Sequence, residues 1–397
     1  MVDQLALDGG PPVRETYLPY SRPVLTAEEV AAATAVLESG WLTTGPDIPE
    51  FERAFAAAVG APHAVAVSSC TAALHLAYLA VPLGPGEEVI VPALTFAATA
   101  ASALAAGGRP VIADVGEDLN VDPEEVARRF GPRTRAVTVV HLGGLPCDLA
   151  ALEVLCAARD LALLQDCAHA VGAEYDGEPL GGRGFAACYS LHAVKQIAAG
   201  EGGVVTTADD GVAEQARLLR NHALTTSASE RHGAAAGYRY DVAGLGFNYR
   251  LGDVNAAVAL SQLGRLAEDG ARRGALAARY DAAFGGRDDV EIIPTPRHLR
   301  HGRHLYIIKL RLAALTADRD QIFRALRAEN VGVNVHYIPL HYHSYYRDLL
   351  GHRPGDFPRA EALFERILSL PLFAAMTDSD ADDVVAAVDK VLRHYRR

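Results

Sequence analysis

The stretch Cys188-Tyr-Ser-Leu-His-Ala-Val-Lys195-Gln-Ile-Ala-Ala-Gly-Glu-Gly-Gly203 joins a short apolar strand pattern to a glycine-rich turn, which returns the chain into a second apolar run, Val204–Thr207. A lysine held between two apolar strands is partly desolvated, which lowers its pKa and exposes a nucleophilic amine. Only three lysines occur in the chain, Lys195, Lys309 and Lys390, and arginine carries the rest of the positive charge. Arginine stays protonated and cannot condense with an aldehyde. Any carbonyl–amine chemistry here therefore has a short list of candidates. Lys309 alternates with apolar neighbours in Leu305–Leu312 and is predicted to lie on the outward face of a half-exposed strand. Lys390 is predicted to lie on a polar-faced terminal helix.

Working outward from this unit, runs rich in Val, Ile and Leu recur at Ala64–Ser69, Glu88–Pro92, Pro110–Val115, Ala136–Leu142, Leu161–Asp166, Ala186–Leu191 and Val204–Thr207. Helical patterns such as Thr71–Leu79, Pro123–Phe130 and Ala150–Arg159 separate most of them. Strands buried on both faces and alternating with helices predict an α/β lobe with a seven-stranded, mostly parallel sheet. Beyond Leu251 the pattern changes to two long helices, Ala256–Leu266 and Gly274–Phe284, then strands at Leu305–Leu312 and Val331–Ile338. This predicts a smaller α+β domain at the C-terminus. The expected organisation is an N-terminal arm over 1–25, a large domain over 26–265 and a small domain over 266–397. Thr225–Tyr238, with little periodicity, reads as a mobile surface loop.

Composition narrows the function. Half of the 397 residues are hydrophobic, enough for a sizeable core. The net charge of −12 and the absence of any basic run exclude a nucleic-acid partner. Five cysteines form no CxxC pair, which fits a reducing compartment and no structural zinc. The first ten residues lack the layout of a secretory signal, and no apolar stretch is long enough to span a bilayer. The expected location is cytoplasmic, with no membrane partner.

Ligands of open α/β sheets bind beyond the carboxyl ends of the strands, and four groups fall there. Ser68-Ser69-Cys70-Thr71 follows one strand and opens a helix, whose free N–H groups can cradle a phosphate; taken alone it is an ordinary helix cap. Asp166 ends another strand, where a carboxylate can pair with a protonated ring nitrogen in a dry site, or simply cap the next turn. His169, three residues on, can reach a ligand hydroxyl. Phe96, in Pro92-Ala-Leu-Thr-Phe96-Ala-Ala-Thr99, can stack on a flat heteroaromatic ring, although such a residue is more often core. The fourth group is Ser190 to Lys195. A phosphate cradle, a ring stack, a carboxylate for a pyridine nitrogen and a lysine for an aldehyde are together the attachments of pyridoxal 5'-phosphate.

The order and wording of these segments resemble the DegT/StrS family of sugar aminotransferases, fold-type I pyridoxal-phosphate enzymes. The resemblance runs from Ala6-Leu-Asp-Gly-Gly-Pro-Pro-Val-Arg14 to Leu368-Ser-Leu-Pro-Leu372. Its most specific pieces are Gly40-Trp-Leu-Thr-Thr-Gly-Pro46, the Ser190–Lys195 and Gly200–Gly203 pair, Gly246-Phe-Asn-Tyr-Arg250 and Asn334-Val-His-Tyr-Ile-Pro339. Asn334–Pro339 and Asp356-Phe-Pro358 are most similar to the branch that makes UDP-4-amino-4,6-dideoxy-N-acetyl-β-L-altrosamine.

The resemblance implies that Lys195 holds the cofactor covalently and that Asp166 pairs with its ring nitrogen. His169 would stand near its phenolic oxygen, where the family often has Gln. Cys70, Thr71 and Ser190 would hold the phosphate, Cys70 through its backbone N–H. Asn248 would reach the phosphate from a partner subunit, making the active site dimeric. Tyr20, Trp41, Leu42, Thr43, Asn334, Val335, His336 and Tyr337 match segments lining a sugar-nucleotide pocket; Trp41 could instead be a packing anchor. The implied reaction moves an amino group from an amino acid, glutamate by family likeness, to a UDP-linked 4-keto-6-deoxy N-acetyl hexosamine derivative. An arginine for the donor carboxylate is expected, with Arg250 among the candidates. A TDP-4-keto-6-deoxyhexose aminotransferase is the alternative substrate reading. A non-catalytic sensor that binds the cofactor is the alternative of another class.

Overall fold

The computed structural model describes residues 4–226 and 239–397. The Thr225–Tyr238 loop expected from the sequence lies, beyond Thr226, outside the described residues. The first nine strands are β1 (His63–Val67), β2 (Glu88–Pro92), β3 (Arg109–Ala113), β4 (Thr134–Val140), β5 (Ala162–Asp166), β6 (Glu174–Tyr175), β7 (Glu178–Pro179), β8 (Ala186–Ser190) and β9 (Gly203–Thr207). Seven of them form one sheet in the order β1-β9-β8-β5-β4-β2-β3. Only β9 runs against its neighbours. Successive side chains alternate between faces, as a strand requires. Val65, Val67, Ala186 and Cys188 enter one core, and Ala64, Ala66, Ala187 and Tyr189 the other. Both faces are therefore dry, which explains why the strands read as continuous apolar runs.

Because β1, β2, β4, β5 and β8 run the same way, their carboxyl ends share one edge of the sheet. This topology brings Ser69, Phe96, Asp166 and Ser190 together from positions far apart in the chain. β9 starts at that same edge and runs back. Among the described residues no helix is long and apolar enough to cross a membrane.

The chain bends at Arg265, between helices Asp253–Gly264 and Leu266–Phe284. We take this bend as the junction with a smaller lobe. There β10 (Val290–Ile292), β12 (Tyr306–Leu310) and β13 (Ile367–Leu370) form an antiparallel sheet. Helices Leu266–Phe284, Arg319–Ala328 and Asp378–Tyr395 share a third core with it. The short β11 (Leu299–Arg300) pairs instead with β6, stitching the smaller lobe to the larger one.

Two expectations are corrected. Val331–Ile338 is not a strand. Its backbone makes only isolated bridges, Leu18 to Val331 and Asn334 to Ser369, because the N-terminal arm takes one end and β13 the other. A cis peptide joins His336 and Tyr337 in this segment. Lys309 and Lys390 are not on outward faces. Lys309 is 2% exposed and donates to the Glu117 carbonyl at 3.1 Å, with the Glu117 and Glu291 carboxylates beside it. Lys390 donates to the Pro11 carbonyl at 2.7 Å and to Glu329 at 2.9 Å. Periodicity describes one element; the large lobe covers the first lysine and the arm covers the second.

Candidate active site

A cavity of about 670 Å³ opens at the shared sheet edge, lined by residues from both lobes, including Lys195, Asp166, Phe96 and Tyr337. The turn that presents Lys195 is pinned at several points. Leu191 N donates to the Gly202 carbonyl at 2.9 Å, Ala193 N to Gly200 at 3.0 Å and Lys195 N to His192 at 2.8 Å. Among the described residues the Lys195 amine has no hydrogen-bond or ion-pair partner, unlike those of Lys309 and Lys390. Burial lowers its pKa to about 8, against an opposing pull from Cys70 and Asp166. Such an amine is available as a nucleophile or base near neutral pH.

Asp166 is buried at the end of β5, with Oδ2 accepting from Thr99 Oγ1 at 2.8 Å and Oδ1 from Ala168 N at 3.1 Å. The Thr99 hydroxyl lies 2.7 Å from that of Thr95, which fixes its direction of donation. Burial raises the Asp166 pKa despite these bonds and the nearby lysine. A buried carboxylate in this condition is stabilised by a cation, and a protonated ring nitrogen is one.

The helix Cys70–Ala80 begins at the cavity. Ser69 caps it, its Oγ accepting from Ala72 N at 3.1 Å. The first-turn N–H groups of Cys70 and Thr71 have no partner within the helix and meet the positive end of its dipole. The Cys70 thiol donates to the Cys188 carbonyl at 3.7 Å, so only the backbone of Cys70 is offered to an anion. Gly203 explains the glycine-rich turn: a Cβ there would lie 2.4 Å from the Ser69 carbonyl and 2.6 Å from Cys70 N. The start of β9 packs directly beneath the helix start, and a side chain would push it away.

His169 is placed at the cavity, but both ring nitrogens are already engaged. Gly143 N donates to Nδ1 at 3.3 Å, and Nε2 lies 3.0 Å from Tyr337 Oη. Burial, with Lys195 and His336 nearby, holds its pKa well below the usual histidine range. The ring is therefore neutral with its proton on Nε2, donated to Tyr337. In this structure the protein itself satisfies both nitrogens of the imidazole, and the Tyr337 hydroxyl stands beside it at the cavity.

Other expected residues divide into two groups. Tyr20, Cys70, Thr71, Phe96, Ser190, Asn334, Val335, His336 and Tyr337 line the cavity with Lys195, Asp166 and His169. Tyr20 is held there by the Leu372 N–H on its carbonyl, and Leu340 N donates to the Ala93 carbonyl, drawing the 334–340 segment across the opening. Trp41, Leu42, Thr43 and Asn248 do not line the cavity of this chain. Asp253 N donates to the Leu42 carbonyl, and Asn248 bridges Asn221, so both segments lie on an adjacent surface where Trp41 and Leu42 are half exposed. Arg250 donates to Asn221 at 2.9 Å, and no arginine lines the cavity among the described residues. Thr99 and the Tyr337–His169 pair carry roles the sequence reading missed. The only signal for Thr99 was its place one helical turn beyond Phe96.

The residues present fit pyridoxal phosphate on three counts. They offer an unpaired amine, a buried carboxylate short of a cation and free N–H groups at a helix start. The fold and site define a fold-type I pyridoxal-phosphate aminotransferase. The chain belongs to the DegT/DnrJ/EryC1/StrS aminotransferase family, whose model matches residues 23–389. It is 41% identical over 385 residues to the spore coat polysaccharide biosynthesis protein SpsC of Bacillus subtilis, covering 96% of this chain and 98% of that protein. Its structure is similar to that of Helicobacter pylori PseC, an aminotransferase involved in the biosynthesis of pseudoaminic acid. The TM-score is 0.90 at 28% identity, covering 96% of this chain and all of that one. It is also similar to the pyridoxal-phosphate form of the putative sugar aminotransferase Spr1654 of Streptococcus pneumoniae, with TM-score 0.88 and 29% identity over 95% of this chain and 99% of that one.

Proposed function

We propose that this aminotransferase moves an amino group from an amino acid, with glutamate as donor, to a nucleotide-linked 4-keto-6-deoxy sugar, a UDP-linked N-acetyl hexosamine derivative. The observation that carries this reading is the unpaired Lys195 amine opposite Asp166 in a cavity of about 670 Å³, far larger than an amino acid needs. The likeness to PseC supports the choice of sugar. Pyridoxal phosphate, when bound, supplies an aldehyde for amines and a protonated ring that draws electrons from the substrate carbon. Lys195 moves the proton at that carbon as general base and acid. In the cofactor-free protein burial lowers the Lys195 pKa to about 8, so the amine gives up its proton more readily than an ordinary lysine. Asp166, aimed by Thr99 and Ala168, keeps the ring nitrogen protonated. Cys70, Thr71 and Ser190 would hold the cofactor's phosphate, and Phe96, which lines the same cavity, would pack against its ring. Tyr20 and the 334–337 segment receive the sugar nucleotide.

In this reading the protein works in the cytoplasm as a homodimer. Asn248 and the Trp41–Thr43 segment, exposed beside the cavity of their own chain, complete the partner's site. The test is turnover with a panel of UDP- and TDP-linked 4-keto sugars and glutamate. Highest kcat/KM on a UDP-linked N-acetyl 4-keto sugar supports the reading; preference for a TDP-linked hexose overturns the choice of sugar. Mixing Asn248→Ala with Lys195→Ala should restore partial activity through hybrid dimers. A strictly monomeric protein in sedimentation contradicts the shared site.

A further inference from the structure

A second cavity, about 210 Å³, lies behind the Lys195 turn, between the end of the large lobe at β6 and helix Leu266–Phe284. It shares no lining residue with the first. Two charged residues of its wall, Arg273 and Asp269, have no hydrogen bond or ion pair to another side chain among the described residues.

Arg273 is 5% exposed, yet among the described residues its guanidinium donates only to backbone carbonyls, Leu372 at 2.9 Å and Arg303 at 3.5 Å. Arg319, equally buried, is paired with Asp320 at 2.6 Å. Asp269, one helical turn before Arg273, has no side-chain hydrogen bond or ion pair among the described residues, although it senses the charges of Arg265 and Arg273. Gln196 donates through Nε2 to the His169 carbonyl at 2.7 Å and the Gly302 carbonyl at 3.2 Å, while its buried Oε1 has no partner. A buried guanidinium and a buried amide oxygen left unmatched are each costly. Gln196 and Arg273 bind the consecutive carbonyls of Gly302 and Arg303, so the two side chains are neighbours in the cavity wall.

We propose that this cavity binds a small α-amino acid as its zwitterion. The carboxylate sits on Arg273, and the ammonium donates to Asp269. The volume of about 210 Å³ admits an amino acid with a short side chain. Occupancy bears on catalysis through Gln196, which follows Lys195 in the chain and holds the His169 backbone. The inference does not depend on which sugar is aminated.

The test is calorimetric titration of the cofactor-loaded enzyme with 2-aminoisobutyrate, which lacks an α-hydrogen and cannot be transaminated, with the visible spectrum followed in parallel. The expected result is a binding event of one per chain that leaves the visible spectrum unchanged. Gly270→Leu should remove it, since a Cβ there meets nothing within 4 Å and the new side chain fills the cavity without disturbing the helix. Asp269→Asn, nearly isosteric, should weaken it at least tenfold. Isobutyrate, which lacks the ammonium, should bind at least tenfold more weakly. No spectrally silent event, an event unchanged in Gly270→Leu and Asp269→Asn, or equal affinity for isobutyrate would each overturn the proposal.

Discussion

Tyr337 Oη lies 3.0 Å from His169 Nε2, and this pair decides which group faces the cavity with a proton to give. Since Gly143 N donates to Nδ1, the neutral imidazole spends its only proton on Tyr337, leaving the phenol hydrogen free. Tyr337→Phe should remove that donor and strand the His169 N–H in a buried site. The expected loss is about 1–2 kcal/mol of stability and about tenfold or more in kcat, read by urea unfolding and steady-state kinetics. Unchanged kcat would leave Tyr337 a packing residue.

Burial depresses the Lys195 amine to about 8, so it is charged below that pH and neutral above it. Condensation of the cofactor-free protein with pyridoxal phosphate should therefore accelerate as pH rises through about 8 and then level off. Borohydride trapping and peptide mapping should place the adduct on Lys195, and Lys195→Ala should give none. An adduct on Lys309 or Lys390 would contradict the site, because ion pairs already occupy both of those amines.

Thr99 donates to Asp166 at 2.8 Å in a buried position. Thr99→Val removes a hydrogen bond to a charged group, worth about 1.5–3 kcal/mol. Cofactor affinity, measured by absorbance titration, should fall by about 10- to 100-fold, and Thr99→Ser should recover most of it. Equal loss in both variants would mean that shape, not the hydroxyl, is what matters.

Gly203→Ala tests the contact between β9 and the phosphate-facing helix. The added Cβ meets the Ser69 carbonyl at 2.4 Å, a backbone atom that cannot swing aside. The variant should lose about 3 kcal/mol or more and purify with less cofactor. Native-like stability and occupancy would show that the helix start can shift freely.

Glu29 couples two helices. It accepts from Thr26 N at 2.6 Å, Ser261 Oγ at 2.7 Å and Arg265 Nη2 at 3.2 Å. Burial alone would raise its pKa, but bonds from Ser261 and Thr26 and the Arg265 charge bring it to about 2 from 4.5. Its contribution is present above pH 4.5 and is lost as pH falls towards 2. Glu29→Gln should cost about 3 kcal/mol at pH 7, with the gap to the native protein closing below pH 4 in denaturation curves. A gap independent of pH would exclude the charge as its source.

The large sheet was legible because both faces of each strand are apolar, so every strand announced itself as a short run. The site was legible where it follows those strands directly, as with Asp166 after β5 and Ser190 after β8. It was not legible in the 334–337 segment, where the alternation of Val331, Val333 and Val335 resembles a strand while the backbone bonds go to the arm and to β13. The partners of His169 were not legible for a related reason: Gly143 and Tyr337 reach it from distant parts of the chain.

Composition alone singled out a lysine rather than an arginine for aldehyde chemistry, and local periodicity alone set the α/β alternation, because both are properties of adjacent residues. Tertiary structure decided which of three lysines keeps an unpaired amine, which hydroxyl faces the cavity and which buried arginine lacks a carboxylate. Those outcomes depend on groups brought into contact from distant parts of the chain, and charge pairing and desolvation have no value until such groups meet.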